Sequence, residues 1–139
     1  MKERVFLDTN VLVYLFDADD PLKQRRAQDL LSSQELREQV TLSTQVLQEF
    51  YVTVTKKLTT PLDPDTAFIA VQDLTAFPIV QIDTPLILLA IQRSRKSKVS
   101  FWDALILEAA LVAGASLLYS EDFQDGAVFG KLRVVNPFS

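Results

Sequence analysis

Asp8 closes a short apolar run, Arg4-Val5-Phe6-Leu7, and is followed by Thr9 and Asn10. Asp122 stands in Ser120-Glu121-Asp122, directly after a second apolar run, Ser116 to Tyr119. Glu49 lies on a helix-forming stretch, and Asp103 follows Ser100-Phe101-Trp102 near the start of another. The chain contains no His and no Cys. That excludes Ser-His-Asp triads, thiolate metal sites, the usual zinc sites and a histidine base. Catalysis, if present, runs on carboxylates, hydroxyls, Lys, Arg, Tyr and metal ions. Two bare carboxylates about 4 Å apart repel by roughly 4 kcal/mol at an effective dielectric of about 20. A cluster of them needs protons or cations, and oxygen ligands alone select a hard ion, Mg²⁺ or Mn²⁺. Such an ion acidifies bound water and offsets charge on a phosphoryl group, which suits phosphodiester hydrolysis.

Each acid also has an ordinary structural role open to it. Asp8 fits a turn residue or a cap for a short helix beginning near Val11. Glu49 sits off the apolar stripe of its helix, as a solvated Glu would. Asp103 fits a capping-box variant opened by Ser100. Asp122 fits a loop acid, the role expected of Glu121 and Asp125. Asp83, before Thr84-Pro85, is fully explained as a helix cap. Glu108 is the only charge within Ala104 to Ala113. It lies about 140° around the helix from Asp103, so it is expected at a surface edge or subunit contact.

The elements that must position these groups alternate. Strands are expected at Arg4 to Leu7, Val40 to Ser43, Pro78 to Ile82, Ser116 to Tyr119 and Leu132 to Val135. Helices are expected at Val11 to Phe16, Leu22 to Leu31, Gln45 to Lys57 with Thr44 as N-cap, Asp65 to Leu74, Thr84 to about Lys96, and Phe101 to Ala113 capped by Ser100. Short apolar strands alternating with helices predict an α/β fold, a three-layer α/β/α arrangement with a four- to five-stranded, mainly parallel sheet. Ligands in such folds bind beyond the carboxyl ends of the strands, where these acids fall. The last of the helices is apolar on nearly every face and is expected to be central.

Composition narrows the class further. The 139 residues are 48% hydrophobic with 3 Gly and 6 Pro, which is not a disordered or low-complexity chain. A chain this long buries roughly 70% of its unfolded surface, so a single domain over residues 1–139 is expected. No apolar run approaches the ~18 residues of a membrane span, and Met1-Lys2-Glu3-Arg4 has no leader pattern, so the cytoplasm is the expected location. The net charge of −4 argues against a module that only grips phosphates. Gly126, Gly130 and Lys131 miss the spacing of a phosphate-binding loop, and Leu132 stands where it needs Ser or Thr.

Taken together, four segments resemble the PIN domain family, specifically its VapC-type toxin ribonucleases. They are Phe6-Leu7-Asp8-Thr9-Asn10-Val11-Leu12, Ser43-Thr44-Gln45-Val46-Leu47-Gln48-Glu49-Phe50, Ser100-Phe101-Trp102-Asp103-Ala104 and Leu118-Tyr119-Ser120-Glu121-Asp122-Phe123. Their order, spacing and strand context match over nearly the whole chain. The resemblance implies that Asp8, Glu49, Asp103 and Asp122 are the four catalytic, metal-holding acids, supported by Asn10 and by Ser120, where the family often has Thr. It implies an endoribonuclease dependent on Mg²⁺ or Mn²⁺, acting on tRNA or rRNA as the toxin of a type II toxin–antitoxin pair. It also implies a homodimer and a small antitoxin whose tail blocks the acidic site.

Basic residues must then meet the RNA. Arg93, Arg95, Lys96 and Lys98 lead into the Asp103 segment and are the preferred candidates, with Lys56, Lys57, Lys23, Arg25 and Arg26 as others. Lys56 and Lys57 also suit an ordinary helix end, and Phe101 and Trp102 are expected to pack in the core rather than stack on bases. Three other functions compete. A haloacid-dehalogenase-type phosphatase needs a second Asp where Asn10 stands. A receiver-like switch wants an acidic pair at the first strand end and a Lys at the last. A catalytically inactive PIN-like RNA- or protein-binding module is disfavoured by four intact acids.

Overall fold

The computed structural model describes residues 3–139. Three-residue β1 (Val5–Leu7) is buried along its whole length. Since successive strand side chains point to opposite faces, a strand with no exposed residue must be covered by helices on both sides. The chain continues through α1 (Thr9–Val13), a 3-10 turn (Tyr14–Phe16), α2 (Pro21–Ser32), α3 (Gln34–Gln39), β2 (Val40–Ser43), α4 (Thr44–Val52) and a π-helical segment (Thr53–Lys57). It then forms α5 (Pro64–Leu74), β3 (Ile79–Val80), α6 (Thr84–Lys96), α7 (Phe101–Val112), β4 (Leu117–Tyr119), β5 (Val128–Phe129) and β6 (Leu132–Val135).

The sheet order is β3-β2-β1-β4-β6-β5, parallel except for the β5–β6 pair. The expected α/β class and parallel sheet hold, with one further short strand. Sequence could not mark β5, because two residues carry no alternation. Gly130, in the turn between β5 and β6, has φ 62°, a left-handed conformation that favours glycine. Chain order reverses between β1 and β4. This is the switch point of an open α/β sheet, where a crevice forms beyond the strand ends.

Phe6, Leu7, Leu12, Leu42, Phe50, Leu107 and Leu118 are fully buried at the centre. Each such side chain contributes about 1.5–3 kcal/mol of transfer free energy. Helix α7 is buried continuously from Ala104 to Ala110, as its all-round apolarity predicts. Gly114, at φ 74°, ends it, with the Ala115 amide returning to the Ala110 carbonyl.

Several local expectations need correction. Ser43, not Thr44, caps α4, accepting from the Val46 amide at 3.3 Å. Thr44 instead accepts the Ile82 amide at 3.1 Å. That bond takes Ile82 away from the sheet, so β3 shrinks from the expected Pro78 to Ile82 to two residues. Helix α1 begins at Thr9, earlier than the expected Val11, with Asp8 as its cap. The helix expected over Gln45 to Lys57 becomes π-helical at Thr53, where β-branched residues crowd the turn and Thr55 bonds back to the Tyr51 carbonyl at 2.7 Å. Helix α3 was not foreseen because only Leu36 in it is buried, which leaves no periodic signal.

Candidate active site

Leu7 of β1 pairs with Tyr119 of β4, and one step on the Asp8 amide donates to the Tyr119 carbonyl at 3.0 Å. The chain therefore releases Asp8 and Ser120 side by side at the switch point. Asp8 keeps an extended backbone and caps α1, its Oδ1 accepting from the Thr9 amide at 2.7 Å. Its Oδ2 accepts from the Ser120 hydroxyl at 2.7 Å. The cap role and a charged role are thus combined in one residue. Both side chains are buried. Burial outweighs the two hydrogen bonds and pushes the Asp8 carboxyl up to about 7, and the charges of Asp122 and Glu49 push the same way.

Ser120 also accepts the Asp122 amide at 3.0 Å. Asn10 donates to Asp122 Oδ2 at 3.1 Å, while its own Oδ1 accepts the Glu121 amide at 3.3 Å. The two adjacent acids part company here. The Glu121 carboxylate is held by Tyr14 Oη at 2.6 Å and by Lys23 Nζ at 2.8 Å. Donating to Glu121 and Tyr14 raises the Lys23 ammonium further. Burial and the bond to Glu121 raise the Tyr14 hydroxyl.

Glu49 reaches the same crevice from α4. Thr9 donates its hydroxyl to Glu49 Oε1 at 2.7 Å, and Gln45 Nε2 donates to Glu49 Oε2 at 3.3 Å. Gln45 is buried, and its Oε1 has no hydrogen-bond partner among the described residues. Asp103 enters from the first turn of α7, its amide capped by the Ser100 hydroxyl at 3.0 Å. Burial raises the Asp103 carboxyl first, then the Asp122 charge, then that of Glu49. A cavity of about 720 Å³ opens over this floor, lined in part by Thr9, Asn10, Gln45, Glu49, Trp102 and Asp122.

The chemistry of the donors fits a hydrated divalent cation. All are oxygens, two of the acids are held above their ordinary range partly by their neighbours' charge, and a buried amide oxygen awaits a donor. Among the described residues no three acids converge as a ready-made cage. Mg²⁺ does not need one, since it keeps several waters and takes one or two carboxylates plus substrate oxygens.

The PIN domain family profile matches residues 5–125. The chain belongs to the PIN domain family. A comparison with curated proteins finds no match. The fold of this PIN domain is similar to that of VapC20 from Mycobacterium tuberculosis, a sarcin-ricin loop cleaving toxin. The two share 22% identity over 93% of this chain and 98% of that one, with a TM-score of 0.68. It is similar also to a chain in a toxin–antitoxin complex from Klebsiella pneumoniae, at 22% identity, 96% and 97% coverage and a TM-score of 0.70. A chain of FitAB bound to a DNA fragment gives 21% identity, 97% and 96% coverage and a TM-score of 0.69.

The basic residues of the PIN domain divide. Arg95, Lys96 and Lys98 are exposed around the end of α6. Arg93 is occupied, its Nε 2.6 Å from Glu108 Oε1 between α6 and α7. Glu108 is accordingly buried, not at a surface edge, one of the two places expected for it. Lys23 serves Glu121, Arg26 donates to the Ser139 carbonyl at 2.9 Å, and Arg25 and Lys56 are exposed. Lys57 lines the cavity. Asp83 is the cap expected of it, accepting the Leu86 amide at 3.1 Å. Trp102 is not in the core: it is 62% exposed at the cavity. Sequence reading passed over Thr9, Gln45 and Tyr14. Gln45 alone had a signal, standing one helical turn before Glu49 on the same face.

Proposed function

We propose that the chain is a metal-dependent endoribonuclease, the toxin of a type II toxin–antitoxin pair, acting in the cytoplasm. The observation that carries this reading is the buried Asp8 carboxylate at the switch point, tied through Ser120 and Asn10 to Asp122. The likeness to a sarcin-ricin loop cleaving toxin and to a chain of a toxin–antitoxin complex supports the same class. Asp8, Glu49, Asp103 and Asp122 would hold Mg²⁺ or Mn²⁺. When bound, the cation supplies acidified water and charge stabilisation at the phosphoryl group.

The chain's own residues prepare that site. Ser120 and Asn10 fix the Asp122 loop against Asp8. Thr9 and Gln45 aim the Glu49 carboxylate, which can take the proton of a water attacking phosphorus in line. Lys23 offsets the charge of Glu121, and Tyr14 helps hold its carboxylate. The substrate is RNA, with tRNA and rRNA as candidates, met by Arg95, Lys96 and Lys98. A cognate antitoxin is the second partner. Exposed apolar side chains of α5 and α6, among them Phe68, Ile69 and Leu88, suit a homodimer contact.

Incubation of total cellular RNA with wild-type and Asp8→Asn protein, in Mg²⁺, Mn²⁺ or EDTA, tests the reading. Discrete cleavage by the wild type in either ion, lost in EDTA and in the variant, is expected. Intact RNA in both ions with folded wild-type protein overturns it.

A further inference from the structure

Trp102 presents an aromatic ring to solvent beside the acids. It immediately precedes Asp103, lines the cavity with Glu49 and Asp122, and is 62% exposed. A tryptophan is ordinarily well covered, because burying its large apolar ring is strongly favourable. This one is held outward from two sides. Gln45 Nε2 donates to the Trp102 carbonyl at 3.1 Å, fixing its backbone to α4. The Phe101 ring meets the indole edge-to-face, with centroids 5.1 Å apart and planes at 71°. Phe101 is itself packed against the small core of Ala90, Ala104 and Leu105. The indole therefore starts from a restrained pose and loses little freedom on binding a flat partner.

We propose that Trp102 is a base-stacking platform that seats an unpaired nucleotide of the RNA next to the scissile phosphate. The proposal rests on the endoribonuclease reading and names how its substrate is gripped. Unpaired bases stack on aromatic faces with little sequence preference, and such grooves pair the aromatic with cations that follow the backbone. Both parts are present. Lys57 lines the same cavity, and exposed Arg95, Lys96 and Lys98 immediately precede the Trp102 segment in the chain. Those cations favour a polyanion over an apolar peptide as the occupant of the ring.

Trp102 is the one tryptophan in the sequence, so indole fluorescence reports on this ring alone. The probe is a labelled single-stranded RNA of mixed sequence, about ten nucleotides long, titrated into full-length Asp8→Asn protein so that it survives. Label anisotropy reads binding and indole emission reads stacking. Saturable quenching that tracks anisotropy is expected. In the same background, Trp102→Ala should bind about tenfold more weakly and Trp102→Phe should recover most of that loss. On a tRNA pool, Trp102→Ala should raise KM more than it lowers kcat. Binding without quenching overturns the platform and leaves the endoribonuclease reading standing. So does wild-type RNA affinity in Trp102→Ala, the outcome expected if the ring serves a protein partner instead. No binding of this RNA and no cleavage of the tRNA pool overturn both.

Discussion

The Ser120 hydroxyl donates to the buried Asp8 carboxylate at 2.7 Å, and the same oxygen accepts the Asp122 amide at 3.0 Å. One side chain thus joins the ends of β1 and β4. Removing it leaves a buried carboxylate oxygen with one partner fewer and frees the Asp122 loop. Loss of such a supporting partner costs about 10- to 100-fold in metal affinity or activity. Ser120→Ala is expected to show that loss in Mn²⁺ titration calorimetry while keeping its circular dichroism spectrum.

Asp8→Asn separates charge from shape. Asn retains the size and the helix-capping ability of Asp. A purely structural Asp8 predicts normal RNA cleavage, whereas the catalytic reading predicts a loss of about 4 kcal/mol, on the order of a thousandfold. Without metal at pH 8, the variant should melt no lower than wild type, because it lacks a charge that burial disfavours. Cleavage rates on a tRNA pool and thermal melts in EDTA check the two halves.

The apo protein should lose stability as pH rises. The Asp8 carboxyl lies at about 7 in the folded chain against an ordinary 3.8, and Asp103 is shifted in the same direction. Between those two values the folded chain holds protons that the unfolded chain has released. The stabilisation is therefore complete below the ordinary value and disappears as pH passes through about 7. In EDTA, melting at about pH 8 should fall below that at about pH 5.5, and Asp8→Asn should flatten the difference. Mn²⁺ at about pH 8 should restore melting, since a cation bound only to the folded chain replaces the proton. A wild type that melts identically at both pH values in EDTA contradicts the placement of Asp8.

Glu121 and Asp122 are adjacent acids with different partners, and the proposed function gives them different tasks. Glu121→Gln breaks a partly buried contact with Lys23 and Tyr14, worth about 1 kcal/mol. It should leave the cleavage rate within a few-fold of wild type. Asp122→Asn should lower that rate far more while changing the melting temperature little. Equal losses in both variants would mean that the two carboxylates share one role.

Arg93 and its neighbours should respond in opposite ways. Arg93→Met leaves Glu108 without its partner between α6 and α7, a loss expected to destabilise by about 3 kcal/mol. Replacing Arg95, Lys96 and Lys98 together by Ala should spare stability, weaken RNA binding and flatten its dependence on salt. Thermal melts and RNA binding across a salt series distinguish the two.

The sequence by itself placed the acids at the ends of apolar runs. Strand ends, helix caps and an all-round apolar helix are local properties, so Asp8, Asp83 and the central position of α7 were legible from short windows. It also limited the ligands to oxygen, by containing no His or Cys. Tertiary structure decided which groups meet. Helical periodicity describes the faces of one helix and says nothing of what covers them. Hence periodicity puts Glu108 at a surface edge or subunit contact although α6 brings Arg93 against it, and puts Trp102 in the core although α4 and Phe101 hold it outward. The different partners of Asp122 and Glu121 depend on Tyr14 and Lys23, about a hundred residues away along the chain. Chain topology brings such partners together because β1 and β4 lie side by side, and a hydrogen bond 2.7 Å long leaves no trace in the spacing of residues along the sequence.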